Sequence, residues 1–410
     1  MTASPAVPVG FDPTDPTLCQ DGIPLQEFLE LRRTAPVWWV EQEPEARAGF
    51  NDTGYWAVSR HQDVAAVSKN SKDFSSAENG AIIRFSPEMT RDQVELQQVM
   101  LINQDPPDHT KTRQVISRGF TPRSIAAMHE TLVGRAHTIV DEAIAKGKGD
   151  FVFDVAAELP LQAIADLLGV PQEDRRKLFD WSNQMMSYDD PEYDVDPDVA
   201  AAEILGYAMG MAEDRRANPK DDIITKLITA DVDGHSLGED EFGYFVILLA
   251  VAGNETTRNA ITHGMHAFLD NPDQWELFKA ERPKTAVDEI IRWATPVTVF
   301  QRTAINDVEV GGQLVKKGQR VGLFYASGNH DESVFSDPGT FDIMRDPNPH
   351  LSFGGHGAHY CIGANLARLE VEVMFNVIAD RMPDISRMGE PRRLRSGWIN
   401  GIKELPVSYV

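Results

Sequence analysis

The sequence predicts a mainly helical protein with a smaller β portion, and two observations carry that expectation. Apolar residues recur at helical spacing through most of the chain from His109 onward, including one candidate helix over residues 236–271. Alternating, β-branched stretches gather instead near 54–58, 299–325 and 396–407.

In chain order, residues 1–20 are rich in Pro and Asp and are expected to lie over the surface as an extended arm. Residues 25–35 read as a short helix, and Tyr55-Trp56-Ala57-Val58 after Gly54 reads as a strand entering from a turn. After a short helix at 63–69, the segment 74–100 has weak periodicity and mixed polarity, the pattern of a lid or binding loop. Helices are expected at 110–120, 122–146, 159–168, 172–183 and 199–218, with Pro191 and Pro197 punctuating the loop before the last. The segment 236–271 carries Ser236 and Glu239 as a capping box and Asn271-Pro272 as a stop. It is longer than most globular helices and apolar on nearly every side from Phe245 to Ala252, so it should cross the whole core. A helix at 284–293, turns at Gly311-Gly312 and Lys317-Gly318, a helix at 364–381 and a hairpin around 396–407 complete the chain. No segment recurs at a fixed spacing and no linker divides the chain, so residues 1–410 read as one domain.

A chain of 410 residues with 42% apolar content can bury a large core. Its formal net charge of -24 argues against nucleic acid and anionic membrane surfaces as bulk partners. Only Cys19 and Cys361 are present, which is no disulfide framework and suits a reducing cytoplasm. The first residues lack the basic start and apolar core of a signal peptide, and the longest apolar run, 245–252, is too short to span a bilayer.

The chemistry is expected in two places. Phe353-Gly354-Gly355-His356-Gly357-Ala358-His359-Tyr360-Cys361-Ile362-Gly363 is a glycine-rich loop that presents a cysteine just ahead of a helix start. Free amides and the positive end of the helix dipole favour a thiolate there, which makes Cys361 a candidate metal ligand. The glycines would let a flat macrocycle lie against the backbone. Taken alone, the loop also fits a small buried cysteine among turns, or a zinc site using His356, His359 and Cys361. The second place is Ala252-Gly253-Asn254-Glu255-Thr256-Thr257, a polar notch in the apolar helix. Gly253 weakens the helix, and Thr256 can bond a backbone carbonyl and locally open the ladder, leaving a groove for dioxygen and water. Helix residues leaving the core toward solvent would read the same way.

Phe353, Gly354, Gly357, His359, Cys361, Gly363, Leu366 and Ala367 together resemble the heme-binding signature of the cytochrome P-450 superfamily, with Phe353 one residue farther from the cysteine than usual. The resemblance implies the cytochrome P-450 fold, with the long central helix lying across heme b (iron protoporphyrin IX) and Cys361 as the axial ligand of its iron. Ala252, Gly253, Glu255 and Thr256 resemble the oxygen-activation signature, which implies that Thr256 and Glu255 manage water and protons. Glu289-x-x-Arg292 resembles the superfamily's acid and arginine pair, with Arg345 as third member. His109, Arg113, Arg302 and His359 match positions that contact the heme propionates.

Beyond the superfamily, Ser76-Ala77-Glu78-Asn79-Gly80, 254–259, 293–298 and 395–398 are similar to bacterial steroid C26/C27 monooxygenases. This implies hydroxylation of a terminal methyl of cholesterol or cholest-4-en-3-one, with onward oxidation to the acid. Branched fatty acids and terpenoids are the alternative substrates, and a heme protein without turnover is the alternative class. Expected wall residues are Ile82, Phe85, Met100, Val251, Ala252, Val297, Val299 and Trp398, although each suits ordinary core packing equally. No flavin or nucleotide motif appears, so electrons from NAD(P)H should arrive through a reductase and a ferredoxin. Lys111, Arg113 and Arg118 are the expected docking patch. A cytoplasmic monomer without a membrane span is expected.

Overall fold

The expected core-crossing helix is present as Glu239–Asp270 in the computed structural model, which describes residues 7, 8, 10–193, 196–220, 222–229 and 237–410. Ser236 lies outside the described residues, and Glu239 is the first helical residue, so the cap differs from the expected pair. Gly238 stands at the N-cap, and its amide donates to Glu241 Oε2 at 2.8 Å. Glu239, Asp240 and Glu241 set three carboxylates in the first turn, where the helix dipole favours them. At the other end Asn271 closes the helix, but Pro272 opens another, Pro272–Glu281. Proline suits a first helical position, so a single Pro served as both stop and restart.

Helices Glu158–Leu168, Arg175–Met186, Pro197–Ala217, Thr285–Ala294 and Ala364–Arg381 all pack on the central one. A five-stranded sheet stands beside this helical body in the order Val37–Glu41, Gly54–Val58, Arg320–Phe324, Val299–Ala304, Phe74–Ser75. Only Gly54–Val58 and Arg320–Phe324 run parallel. Gly311 and Gly312, both at positive φ, close the hairpin of Val308–Val310 with Gln313–Val315, as the turn signals required.

Other departures from expectation are local. The arm coils into a short helix at Pro16–Gln20, held down because the Tyr55 hydroxyl donates to Asp12 at 2.8 Å. Residues 74–100 contain the helix Arg91–Leu96, whose Thr90 and Gln93 form a capping box. The helix expected at 122–146 breaks at Met128 into Pro122–Ala127 and His129–Lys146. A helix at Ile223–Ile228 is too short to show a period. The hairpin expected at 396–407 pairs Ile402–Glu404 with Arg392–Arg393, whereas Pro406–Ser408 lies between Lys148–Asp150 and Ser386–Arg387. Those partners are remote in sequence, beyond the reach of local patterns.

Below the cysteine loop, Glu289 and Arg292 are both fully buried. Arg292 Nε and Nη2 reach the Glu289 carboxylate at 2.7 and 2.8 Å, and Arg345 Nε adds a third contact at 3.1 Å. Asn348 Nδ2 and the Asp342 amide donate to the same carboxylate, so its lone pairs are satisfied.

Glu370 faces the central helix from Ala364–Arg381 and is also buried. Burial pushes its pKa up to about 8, with a partial opposing pull from the Thr257 side chain. The raised value means that the folded protein holds this proton where the unfolded chain has released it. Stability is therefore unaffected below about pH 4.5, falls as pH rises from there to about 8, and is then fully reduced, by on the order of 5 kcal/mol. Glu370→Gln should flatten that slope and melt higher than wild type at alkaline pH; parallel melting curves across pH would contradict the account.

Candidate functional site

Cys361 sits at the close of a tightly wound loop, just before the helix Ala364–Arg381. Gly354, Gly355 and His356 all adopt positive φ, and the Cys361 amide donates to the Phe353 carbonyl at 2.9 Å, drawing the loop shut. At Gly357 a Cβ would collide with the Ser68 carbonyl, so only glycine lets the loop dock on the helix His61–Lys69. Phe353 packs below the loop, with the Arg368 guanidinium 4.5 Å from its ring centroid and Tyr360 at 6.1 Å.

Cys361 is exposed in the loop, with packed protein around it. Burial raises its thiol pKa, while the Gly363 backbone, Arg113, Arg368 and the Ala364 backbone pull it down. The expected helix-start donors are thus present, but desolvation outweighs them for the bare thiol. His356 and His359 do not join it: His356 stacks on Tyr360 at 5.5 Å, and His359 Nε2 bonds Ser76 Oγ at 3.1 Å. Among the described residues no three His, Cys, Asp or Glu side chains form a metal-binding group.

The central helix has an opening on one face. Ala252 is exposed and Val251, Gly253 and Thr256 are partly accessible, while Asn254, Glu255 and Thr257 are buried. The helix runs through this stretch without interruption, so small side chains make the hollow, not an unwound turn. Gly253 answers a packing need as well, since a Cβ there would collide with Ile164. Thr256 Oγ1 donates to the Ala252 carbonyl at 2.7 Å, the expected back-bond. Glu255 Oε1 accepts from Arg258 Nη2 at 2.5 Å and from Asn259 Nδ2 at 2.9 Å, whereas Glu255 Oε2 is buried without a partner among the described residues. Arg258 in turn reaches Asn183 Oδ1 at 2.7 Å.

Four predicted residues, two arginines and two histidines, gather near the cysteine. The rings of His109 and His359 lie 4.2 Å apart, and Arg113 Nη2 donates to the Tyr360 carbonyl at 2.5 Å. Arg302, buried in its strand, donates to the Gln301 carbonyl. Burial lowers the His359 pKa far below the usual imidazole range, and Arg302, His109 and Arg113 lower it further. The nearby acid, Asp105, is already engaged by Ser75 Oγ and the Ser76 amide. His109 Nε2 is buried with no partner among the described residues. Two guanidiniums and an unpartnered imidazole nitrogen, beside an accessible sulfur, fit a flat iron-bearing macrocycle with carboxylates on one edge.

The proposed wall residues separate into two kinds. Ile82, Val251 and Val297 are partly accessible around one apolar cluster that includes Trp398, and Met100 is partly accessible against the main core. Phe85, Val299 and Trp398 are buried: Phe85 packs on Phe50 at 5.4 Å, and Trp398 Nε1 donates to the Tyr188 hydroxyl at 2.7 Å. Of the expected docking patch, Lys111 and Arg118 are exposed, whereas Arg113 is half-buried and turned toward Tyr360. Ser76 and Tyr325 were not singled out as site residues, because a lone Ser and a strand-end Tyr carry no spacing signal.

The cytochrome P450 family model matches residues 284–380, which include the Glu289, Arg292 and Cys361 elements. The chain is 63% identical over 407 residues to a steroid C26-monooxygenase of Rhodococcus jostii, covering 99% of this chain and 86% of that protein. It is 43% identical to a methyl-branched lipid omega-hydroxylase of Mycobacterium tuberculosis, covering 93% of this chain and 90% of that protein. A solved Mycobacterium marinum cytochrome P450 in complex with pseudoionone superposes with a TM-score of 0.87 at 39% identity, covering 93% of this chain and 94% of that one. Identity at this level along nearly the whole length, and the shared fold, place the chain in the cytochrome P450 family.

Proposed function

We propose that the chain hydroxylates the terminal C26/C27 methyl of cholesterol or cholest-4-en-3-one and oxidises that carbon onward to the acid. The observation that carries this reading is the 63% identity, along 99% of the chain, to a steroid C26-monooxygenase. Membership of the family brings heme, dioxygen and reducing electrons with it, and we assign heme b to Cys361, with its propionates toward His109, Arg113, Arg302 and His359. Once bound, the heme supplies reductive activation of dioxygen, which thiolate donation favours.

The chain contributes position and protons. Thr256 spends its hydroxyl proton on the Ala252 carbonyl, so its oxygen is free to accept from a water in the hollow. Glu255 is fixed through one oxygen by Arg258 and Asn259, and its second oxygen is the atom that exchanges protons with that water. Ile82, Met100, Val251 and Val297 hold an apolar chain end against the hollow, and the carbon held nearest is the one oxidised. Lys111 and Arg118 receive a ferredoxin, itself reduced from NAD(P)H by a reductase, and the enzyme works as a cytoplasmic monomer.

Cholest-4-en-3-one added to purified enzyme should shift the iron spin state and, with a competent redox system, yield the terminal alcohol; neither effect would end the sterol assignment. The 43% identity to a methyl-branched lipid omega-hydroxylase favours one second reading, a branched fatty acid, which the same two assays decide. In a Thr256→Ala variant, product per NAD(P)H consumed should fall about tenfold as peroxide rises. Unaltered coupling would remove Thr256 from proton handling.

A further inference from the structure

Tyr325 carries a hydroxyl that is fully buried and has no hydrogen-bond partner among the described residues. Phenylalanine would fill the same space without leaving a polar atom unpaired, so the hydroxyl asks for a ligand. In the sheet, Arg302 stands opposite Val321 and Phe300 opposite Leu323. Tyr325 opens the short helix Tyr325–Gly328 just past the strand's last residue, Phe324, and its side chain packs in the same apolar cluster as Val321, Leu323 and Phe300. The Phe300 and Tyr325 rings meet edge-on at 6.2 Å.

Arg302 links this hydroxyl to the arginine and histidine group beside the cysteine. Burial raises the Tyr325 pKa and the Arg302 charge draws it down, and the same guanidinium acts on His109 and His359. Asp105, the acid that acts on Arg302, is bound by Ser75 and Ser76. His359 has its Nε2 on Ser76 and a further hydrogen bond with the Gln104 backbone. Two buried polar atoms, Tyr325 Oη and His109 Nε2, thus remain unpaired among the described residues around one buried guanidinium.

We propose that Tyr325 is a cofactor-binding residue: its hydroxyl donates to the carboxylate that Arg302 neutralises, a heme propionate on the reading given above. Arg302 supplies the charge and Tyr325 the direction, because a guanidinium accepts a carboxylate from several sides while a phenol has one proton to give. His109 serves as a second donor to the same edge of the macrocycle.

The test is Tyr325→Phe in the holoenzyme, which removes one oxygen and preserves the ring contact with Phe300. Heme transfer to apomyoglobin should become about fivefold faster, as expected for one lost hydrogen bond to a charged group. The propionate-bending band in the resonance Raman spectrum should shift as well, a change that altered packing alone would not produce. If the rate and the band both match wild type, the assignment of Tyr325 is wrong. If faster loss comes with an unmoved band, the tyrosine acts through packing and the assignment is again wrong. A wild-type protein whose reduced, carbon-monoxide-bound form lacks a red-shifted Soret band would remove the heme-thiolate reading itself, and Tyr325 with it.

Discussion

A Cys361→Ala variant is expected to lose monooxygenase turnover to below about one-thousandth of wild type, and with it the red-shifted Soret band of the reduced, carbon-monoxide-bound protein. No other thiol can take over. Cys19 is directed toward the Pro13 carbonyl at 3.5 Å, and burial together with Asp12 and Asp15 pushes its thiol pKa up to about 12. The surrounding frame does not depend on the thiol, because the loop is shut through the Cys361 amide and the Gly357 contact with Ser68. The variant should therefore fold, with circular dichroism near that of wild type. A Cys361→His variant separates ligation from folding more finely, since imidazole can hold iron but should leave the Soret band unshifted. A red-shifted band in either variant would contradict the ligand assignment.

Glu289→Ala should be the most damaging change outside the cysteine loop. It strips the single carboxylate from two buried guanidiniums, Arg292 and Arg345, and leaves Asn348 and the Asp342 amide without their acceptor. Breaking a buried pair in this way costs about 3–5 kcal/mol, a large part of the ~5–15 kcal/mol that holds a typical domain folded. Soluble yield should collapse, and any purified protein should melt well below wild type. Thermal unfolding within about 2 °C of wild type would show that the charges find other partners.

How legible all this was in the sequence depended on how local the signal is. The central helix announced itself through thirty residues of apolar periodicity, and the Gly311-Gly312 hairpin through residues that accept positive φ. The cysteine loop was legible because closely spaced glycines around one sulfur serve a local backbone path. Pro406–Ser408 was misread because its partners lie at Lys148–Asp150 and Ser386–Arg387, and three-residue strands carry too few positions to reveal a register. Tyr325 and Ser76 were missed for a related reason. Their significance comes from an absent partner and from His359, neither of which leaves a mark on neighbouring residues. Arg113 carried two expectations, a propionate contact and an outward docking patch, and its hydrogen bond to the Tyr360 carbonyl turns it inward.

The contact between Ser76 and His359 joins positions 283 residues apart, and Ser68 meets Gly357 across a comparable span. Neither half of the chain can therefore prepare the socket alone during synthesis. A ribosome-bound chain ending before the glycine loop contains every strand of the five-stranded sheet and the long helix but lacks Gly357, His359 and Cys361. Metal acquisition must then be among the last events of biogenesis, and a cell short of heme would accumulate a nearly finished protein whose two ends have already met.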